Sequence, residues 1–270
     1  MKLFLPDDYN HRPEAVYFDD TPLHRHEKIH QPHVYYYAEY LLKNKHYDAI
    51  IDIGSGNGEK LSFLSHSKKM GLDFGKNLEF CKANYPDSDW VQVYLESESE
   101  TKEFAFPSGK ALIICSDVVE HLVNPLPLLA LLKRAVYEGH SVITSTPDRV
   151  VLRGREHNGP PTNVSHIREW SIVEYFELLK TYLTTPVVYG HTINNNIDRK
   201  YSTLISFHDA DIRKASILSK LVSYNSKKDN EMLDLLYQAM PVELETDILK
   251  ELRRVNYSDN KSPKAIDRLL

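Results

Sequence analysis

The sequence predicts an α/β protein built on a doubly wound sheet of seven strands, with a C-terminal helical extension. Three observations carry that expectation. Short, largely apolar runs recur along the first 208 residues and alternate with stretches of helical spacing. A run of alternate glycines, Gly54-Ser55-Gly56-Asn57-Gly58, joins the first such strand to the first helix. Beyond residue 208 no further strand pattern is found, and apolar positions recur at helical intervals instead. Alternating strands and helices make a parallel sheet covered on both faces. Right-handed crossovers then gather the ligand-binding loops at the strands' C-terminal ends.

In chain order, the segment 1–47 is rich in tyrosine and histidine and broken by Pro6, Pro13, Pro22 and Pro32. A helix is expected from Pro32, since proline is tolerated in a first turn. Tyr37, Tyr40 and Leu41 would share one of its faces. Residues 47–53 form the first strand, 59–67 a helix, 69–73 the second strand, 77–85 a helix stopped by Pro86, and 90–95 the third strand. A polar, acidic stretch over 96–109 leads to 111–116, apolar almost throughout and therefore central. The apolar helix 127–137 ends at Gly139. Residues 140–145 form the fifth strand, and a long loop follows over 150–165. Ser171 and Glu174 have the spacing of a capping box, opening a helix with Tyr175, Phe176, Leu178 and Leu179 inward. Segments 187–189 and 201–208 close the sheet, joined by a polar stretch containing Asn194 to Asn196. The expected organisation is an N-terminal segment over the active site (1–47), a ligand-binding domain (48–208) and the helical extension (209–270), with helices over 212–221, 231–240 and 244–255.

The glycine turn sets the chemistry. Strand, glycine turn and helix bring backbone N–H groups toward a ligand, and glycine leaves room for the turn and for close approach. The pattern is D-x-G-x-G-x-G, led by Asp52. It departs from the dinucleotide fingerprint G-x-G-x-x-G, whose third glycine would fall where Glu59 stands. Asp73 closes the second strand about 20 residues beyond the first glycine, where a carboxylate can accept hydrogen bonds from ribose hydroxyls. The residues thus read as a site for a ribose-bearing cofactor that needs no pyrophosphate cradle.

These residues resemble motif I of the class I S-adenosylmethionine-dependent methyltransferases, whose fold is Rossmann-like. A second stretch, Ser116-Asp117-Val118-Val119-Glu120-His121-Leu122, is similar to motif IV of the members that act on small metabolites such as quinones and sugars. A third, Thr146-Pro147-Asp148-Arg149 followed by His166-Ile167-Arg168-Glu169-Trp170, resembles their substrate-facing segment. The resemblance covers about residues 48–208. It implies S-adenosyl-L-methionine as cofactor, held by Asp52, Gly54, Ser55, Gly56 and Gly58, by Asp73 and Phe74, and by Ser116 and Asp117. Many relatives carry an acid directly after the third strand to hold adenine. Here Tyr94-Leu95-Glu96 stands there, so Glu96, or Leu95 through backbone and side chain, takes that role. The implied activity is methyl transfer to a small polar acceptor, with O-methylation of a sugar or glycan precursor favoured. A hydroxyl acceptor needs a base. His166 is the first choice and His121 the second, packing under the cofactor being His121's other use.

Two other functions stay open on the residues. One is a methyltransferase-like partner subunit without activity, against which the intact glycines and both acids speak. The other is a nucleotide-dependent oxidoreductase, disfavoured by Glu59. The net charge of −5 speaks against a nucleic-acid partner. No apolar run reaches the ~20 residues of a membrane span, and Pro6-Asp7-Asp8 interrupts any signal-peptide pattern. Cys81 and Cys115 suggest no disulfide framework or zinc site, and a reducing cytoplasm is the expected compartment. His11, His24, His26, His30, His33 and His46 are joined by no carboxylate or cysteine in a recognised ligand spacing, so no metal is expected. The helical extension is a candidate homodimer contact.

Overall fold

The computed structural model describes residues 3–14, 16 and 28–211. The extension helices expected beyond 211, and with them the homodimer contact, lie outside the described residues, as do His24 and His26. Within them the fold is the doubly wound, Rossmann-like α/β sheet. Its seven strands are β1 (Ala49–Ile53), β2 (Lys69–Asp73), β3 (Asp89–Gln92), β4 (Ala111–Ser116), β5 (Ser141–Pro147), β6 (Val188–Ile193) and β7 (Tyr201–His208). They lie in the order β3-β2-β1-β4-β5-β7-β6. The first five pair in parallel, and β7 is antiparallel to both neighbours. Strand order reverses between β1 and β4, where an open α/β sheet offers a crevice at its C-terminal edge.

The strands sort their side chains by alternation. Ile51, Ile53, Ile113 and Cys115 face one layer, made with α5 (Leu126–Tyr137) and α7 (Ile172–Tyr182). Ile50, Leu112, Ile114 and Ile143 face the other, which takes Val34, Tyr35, Ala38 and Leu41 of α1 (Pro32–Asn44). Every residue of β1 and β4 is buried, as a strand covered on both faces requires. The capping box that opens α7 is present in both halves, and Tyr175, Phe176, Leu178 and Leu179 are buried. Between β2 and β3 lies α3 (Gly75–Asn84). The acidic stretch after β3 contains α4 (Glu98–Glu103), opened by Ser97 as N-cap.

Beyond shifts at strand ends and the added α4, two elements differ from expectation for reasons the side chains show. The helix after the glycine turn, α2, spans Glu59–Ser62, a single turn, where the spacing suggests nine residues. Ser62 Oγ donates to the carbonyl of Glu59, and Lys69 Nζ donates to the carbonyl of Ser62. The chain is then held away from the helix axis by Ser65 N–H, which donates to Glu39. Side-chain competition of this kind ends short helices. The expected loop after β5 begins with a further turn of helix, α6 (Arg149–Arg153), which Asp148 caps through the N–H groups of Val150 and Val151.

Asp52 is the exception in the buried core of β1. It is fully buried on the α1 face, and the Tyr35 hydroxyl of α1 donates to its carboxylate at 3.0 and 3.2 Å. Burial pushes its carboxyl up to about 7, against the opposing pull of Lys60 and the Tyr35 hydrogen bond and with a further push from Asp73. A raised folded-state value means the native protein binds the proton more tightly than the unfolded chain. The stability this contributes is present below about pH 4 and is lost as pH rises through about 7. Asp52→Asn should therefore flatten the pH dependence of stability, by up to about 1 kcal/mol per pH unit between pH 5 and 7. Urea unfolding at pH 5 and pH 8 checks this. Parallel curves for the two proteins would show that Asp52 does not titrate in that window.

Candidate active site

The turn after β1 passes through Gly54, Gly56 and Gly58 at φ +72°, +57° and +74°, a region other residues rarely enter. The glycines have distinct duties. A Cβ on Gly58 would run into the Trp90 ring and Cys81 Sγ, so this glycine permits close packing beneath the turn. Gly56 N–H donates to Asp73 Oδ2 at 2.7 Å, and Phe74 N–H donates to Asp73 Oδ1 at 2.7 Å. The end of β2 is thereby tied to the glycine turn. A carboxylate oxygen can accept more than one hydrogen bond.

Beside the turn, at the crevice between β1 and β4, is a cavity of about 330 Å³. Of the residues singled out from the sequence, Gly54, Ser55, Ser116, Asp117, His121 and His166 line it. Asp52 lies in the strand behind the turn. Gly56, Gly58, Asp73, Phe74, Leu95 and Glu96 belong to the adjoining β1–β3 end of the sheet and are not part of its wall. There Phe74 and Tyr94 bring their rings to 5.2 Å. Leu95 packs in the core, and Glu96 accepts the Asn124 N–H at 2.6 Å.

Asp117 ends β4 in the left-handed region, at φ +53°. Its N–H donates to the Ser145 carbonyl, and its carboxylate accepts from Ser145 Oγ at 2.7 Å. A 3₁₀ turn over Val119–His121 follows. Glu120 points inward from it and is fully buried. One of its oxygens, Oε2, accepts from Thr146 Oγ1 at 3.0 Å, while Oε1 has no partner. Burial raises the carboxyls of both Asp117 and Glu120. His121 is lowered to about 4, first by burial and then by neighbouring His166.

The two histidines meet edge to face, with ring centroids 4.7 Å apart. His121 Nδ1 faces the Ser165 carbonyl at 2.9 Å, and His166 Nδ1 faces Glu169 Oε1 at 2.7 Å. An Nδ1 facing an oxygen acceptor carries the proton, which leaves the lone pair on Nε2 in the neutral ring. His166 Nε2 lies 2.9 Å from the Asn163 side-chain nitrogen, which donates to it. Burial works against the charge of Glu169, yet the hydrogen bond and charge of His166, with Arg153 beyond it, hold its carboxyl below the usual range.

The N-terminal segment reaches the site through residues 28–31. Lys28, Ile29, His30 and Gln31 line the cavity. They are held by the asparagine-rich β6–β7 connection: Gln31 N–H donates to the Asn194 carbonyl, and Ile29 N–H to Asn196 Oδ1. Glu120, Asn163, Glu169 and Lys60 were not expected at the site, whereas residues 28–31 belong to the N-terminal segment expected to lie over it. For Glu169 a signal exists in the sequence, three residues beyond His166. Which part of the N-terminal segment reaches the cavity has no local signal, because the asparagines that hold residues 28–31 are over 160 residues away.

No family profile matches the chain. It is 27% identical over 105 residues to the ubiquinone biosynthesis O-methyltransferase of Vibrio cholerae serotype O1, a match covering 38% of this chain and 43% of the relative. The chain thus spans less than half the length of the curated relatives it matches. Among solved structures it is similar to an S-adenosylmethionine-dependent methyltransferase from Anabaena variabilis, with 16% identity, 60% of this chain, 76% of that one and a TM-score of 0.45. It is likewise similar to one from Aquifex aeolicus, with 16% identity, 70% of this chain, 93% of that one and a TM-score of 0.44.

Proposed function

We propose that the protein transfers a methyl group from S-adenosylmethionine to a hydroxyl of a small polar acceptor. The observation that carries this is the junction of two halves at one crevice. A glycine turn tied to Asp73 stands on one side, and a pair of imidazoles with lone pairs at Nε2 stands on the other. The partial match to an O-methyltransferase supports oxygen as the acceptor atom.

The residues present fit the cofactor. Asp73 offers acceptor capacity for ribose hydroxyls, and Phe74 with Tyr94 offers aromatic surface beside it. Burial raises the carboxyl of Asp117, which lines the cavity, and a cationic sulfur beside it would draw it back toward the charged form. When bound, the cofactor supplies an activated methyl group on that sulfur. The protein's task is then positioning and exclusion of water. Leu95 and Glu96 serve the adenine end, and Gly54, Ser55, Ser116 and Asp117 the remainder. On the acceptor side His166, oriented by Glu169, assists loss of the hydroxyl proton, with His121 beside it. Residues 28–31 and Asn163 set which acceptor fits, and a sugar or glycan precursor suits their polar character.

Calorimetry with S-adenosylmethionine, S-adenosylhomocysteine and NAD tests the cofactor. The first two should bind and NAD should not, and the reverse would make the protein a nucleotide-dependent oxidoreductase. Asp73→Ala should weaken S-adenosylhomocysteine binding by ~1.5–3 kcal/mol. Because Asp73 also tethers Gly56, the loss must shrink for a 2′,3′-dideoxy analogue. Equal losses would leave Asp73 only its tether. For His166→Ala, turnover on an acceptor found by screening sugar and phenol hydroxyls should fall ~10²–10⁴-fold with cofactor affinity unchanged. Near-normal turnover would remove His166 from the chemistry.

A further inference from the structure

Glu120, His121 and His166 each offer one ligand atom, and these atoms lie within 4.8 Å of one another. Among the described residues, this is where side chains gather in a way that could hold a metal ion. A cation at ~2.0–2.2 Å from each ligand needs ligand atoms about 3–3.5 Å apart, a distance reached by small side-chain rotations.

Three independent features prepare the cluster. Glu120 Oε1 is buried without a hydrogen-bond partner, which is costly for a carboxylate unless something else satisfies it. Both imidazoles donate Nδ1–H backward, His121 to a backbone carbonyl and His166 to a carboxylate. That is the outer-shell arrangement that fixes a ligating histidine with its Nε2 lone pair forward. Moreover, the three residues come from two segments, the turn after β4 and the end of the long loop, that are locked together. Ile167 N–H donates to the Glu120 carbonyl at 2.7 Å. One contact must give way, the Asn163 amide on His166 Nε2.

We propose that Glu120, His121 and His166 form a binding site for a divalent first-row transition-metal ion at the acceptor end of the crevice. Two imidazoles and one carboxylate suit such an ion, whereas magnesium and calcium prefer oxygen ligands. Three protein ligands leave positions open. The acceptor's hydroxyl oxygen takes one of them, in so far as the methyl-transfer reading holds. The ion would make that hydroxyl more acidic, its proton passing to water, so the contribution proposed above for His166, with His121, would be made as a ligand to the ion rather than as a direct proton acceptor. The site lies apart from the N-terminal histidines, for which the sequence suggests no metal, and it revises the expectation that the chain holds none.

The test uses the tag-free full chain, stripped with a chelator. Co²⁺ is titrated by calorimetry and visible absorption, and Mn²⁺ by electron paramagnetic resonance. One ion per chain is expected, with magnesium and calcium at least 10-fold weaker. His121→Gln and His166→Gln should each abolish that binding, and Glu169→Gln should weaken it ~10–100-fold. Where a variant fails to fold, Mn²⁺ broadening of imidazole proton signals in the wild-type chain replaces it, and His121 and His166 should broaden first. Absence of stoichiometric Co²⁺ binding, binding that survives both histidine variants, or broadening confined to other histidines would overturn the proposal. S-Adenosylhomocysteine binding is measured on the same samples. If it persists without Co²⁺ binding, the metal site alone fails. If Co²⁺ binds without it, the methyl-transfer reading alone fails.

Discussion

The acceptor half of this protein hangs on one backbone pairing. The carbonyl of Glu120, just past the end of β4, accepts the N–H of Ile167 at 2.7 Å. Arg168 reinforces it by donating to the carbonyls of Leu122 and Val123. The next residues continue the attachment, since Arg149 N–H donates to the Trp170 carbonyl and the Trp170 indole donates to the Leu3 carbonyl. Without these contacts the long loop after β5 would be free at the surface, as loops of that length usually are. With them, His166 is fixed against His121 and a site is assembled from residues 45 positions apart.

That assembly concentrates acids where the sheet is least able to solvate them. Asp52, Glu120 and Glu169 are almost wholly inaccessible, and Asp117 leans on Ser145. Nearby cationic side chains are few. Lys60 acts on Asp52 and Asp117, and Arg153 acts on Glu169. Burying carboxylates without full pairing costs stability, and such costs are usually found where a ligand offsets them. The sulfonium of the proposed cofactor and the proposed divalent ion are both cationic, and each would meet the same electrostatic demand.

The sheet was legible in the sequence because its strands are encoded locally. The runs 49–53 and 111–116 are apolar almost throughout, and their shortness, their isoleucines and the glycine or polar residues that bound them mark buried strands rather than helix. The same locality made the glycine turn, Asp73 and the capping box of α7 readable. The length of α2 was not, because it depends on Lys69 and Glu39 reaching across from other elements. Asp73 shows an intermediate case. Its position was readable, but its bond to Gly56 N–H arises from the β1–β2 pairing and gives it a duty in holding the turn that spacing does not disclose. Glu120 and Glu169 read as ordinary polar positions beside histidines. Their importance comes from inward orientation and burial, which the alternation of polar and apolar residues in an irregular loop does not specify.

The two halves of the crevice therefore have different origins. The cofactor side is made of consecutive residues at strand ends, and its geometry follows from the sheet. The side proposed for the acceptor is made of three remote segments: residues 28–31, the turn over Val119–His121 and the stretch 163–169. Asparagines secure two of these. Asn194 and Asn196 hold residues 28–31, and Asn163 holds both Ser165 N–H and His166. Side-chain amides can donate and accept at once, so a single residue fixes two strands of loop without a regular ladder. A scaffold of this kind can change its acceptor by altering loops while the strand ends keep their ligand. Under the proposed function, substrate identity would rest on residues 28–31 and 163–169, the part of the chain where local sequence says least and tertiary contact decides most.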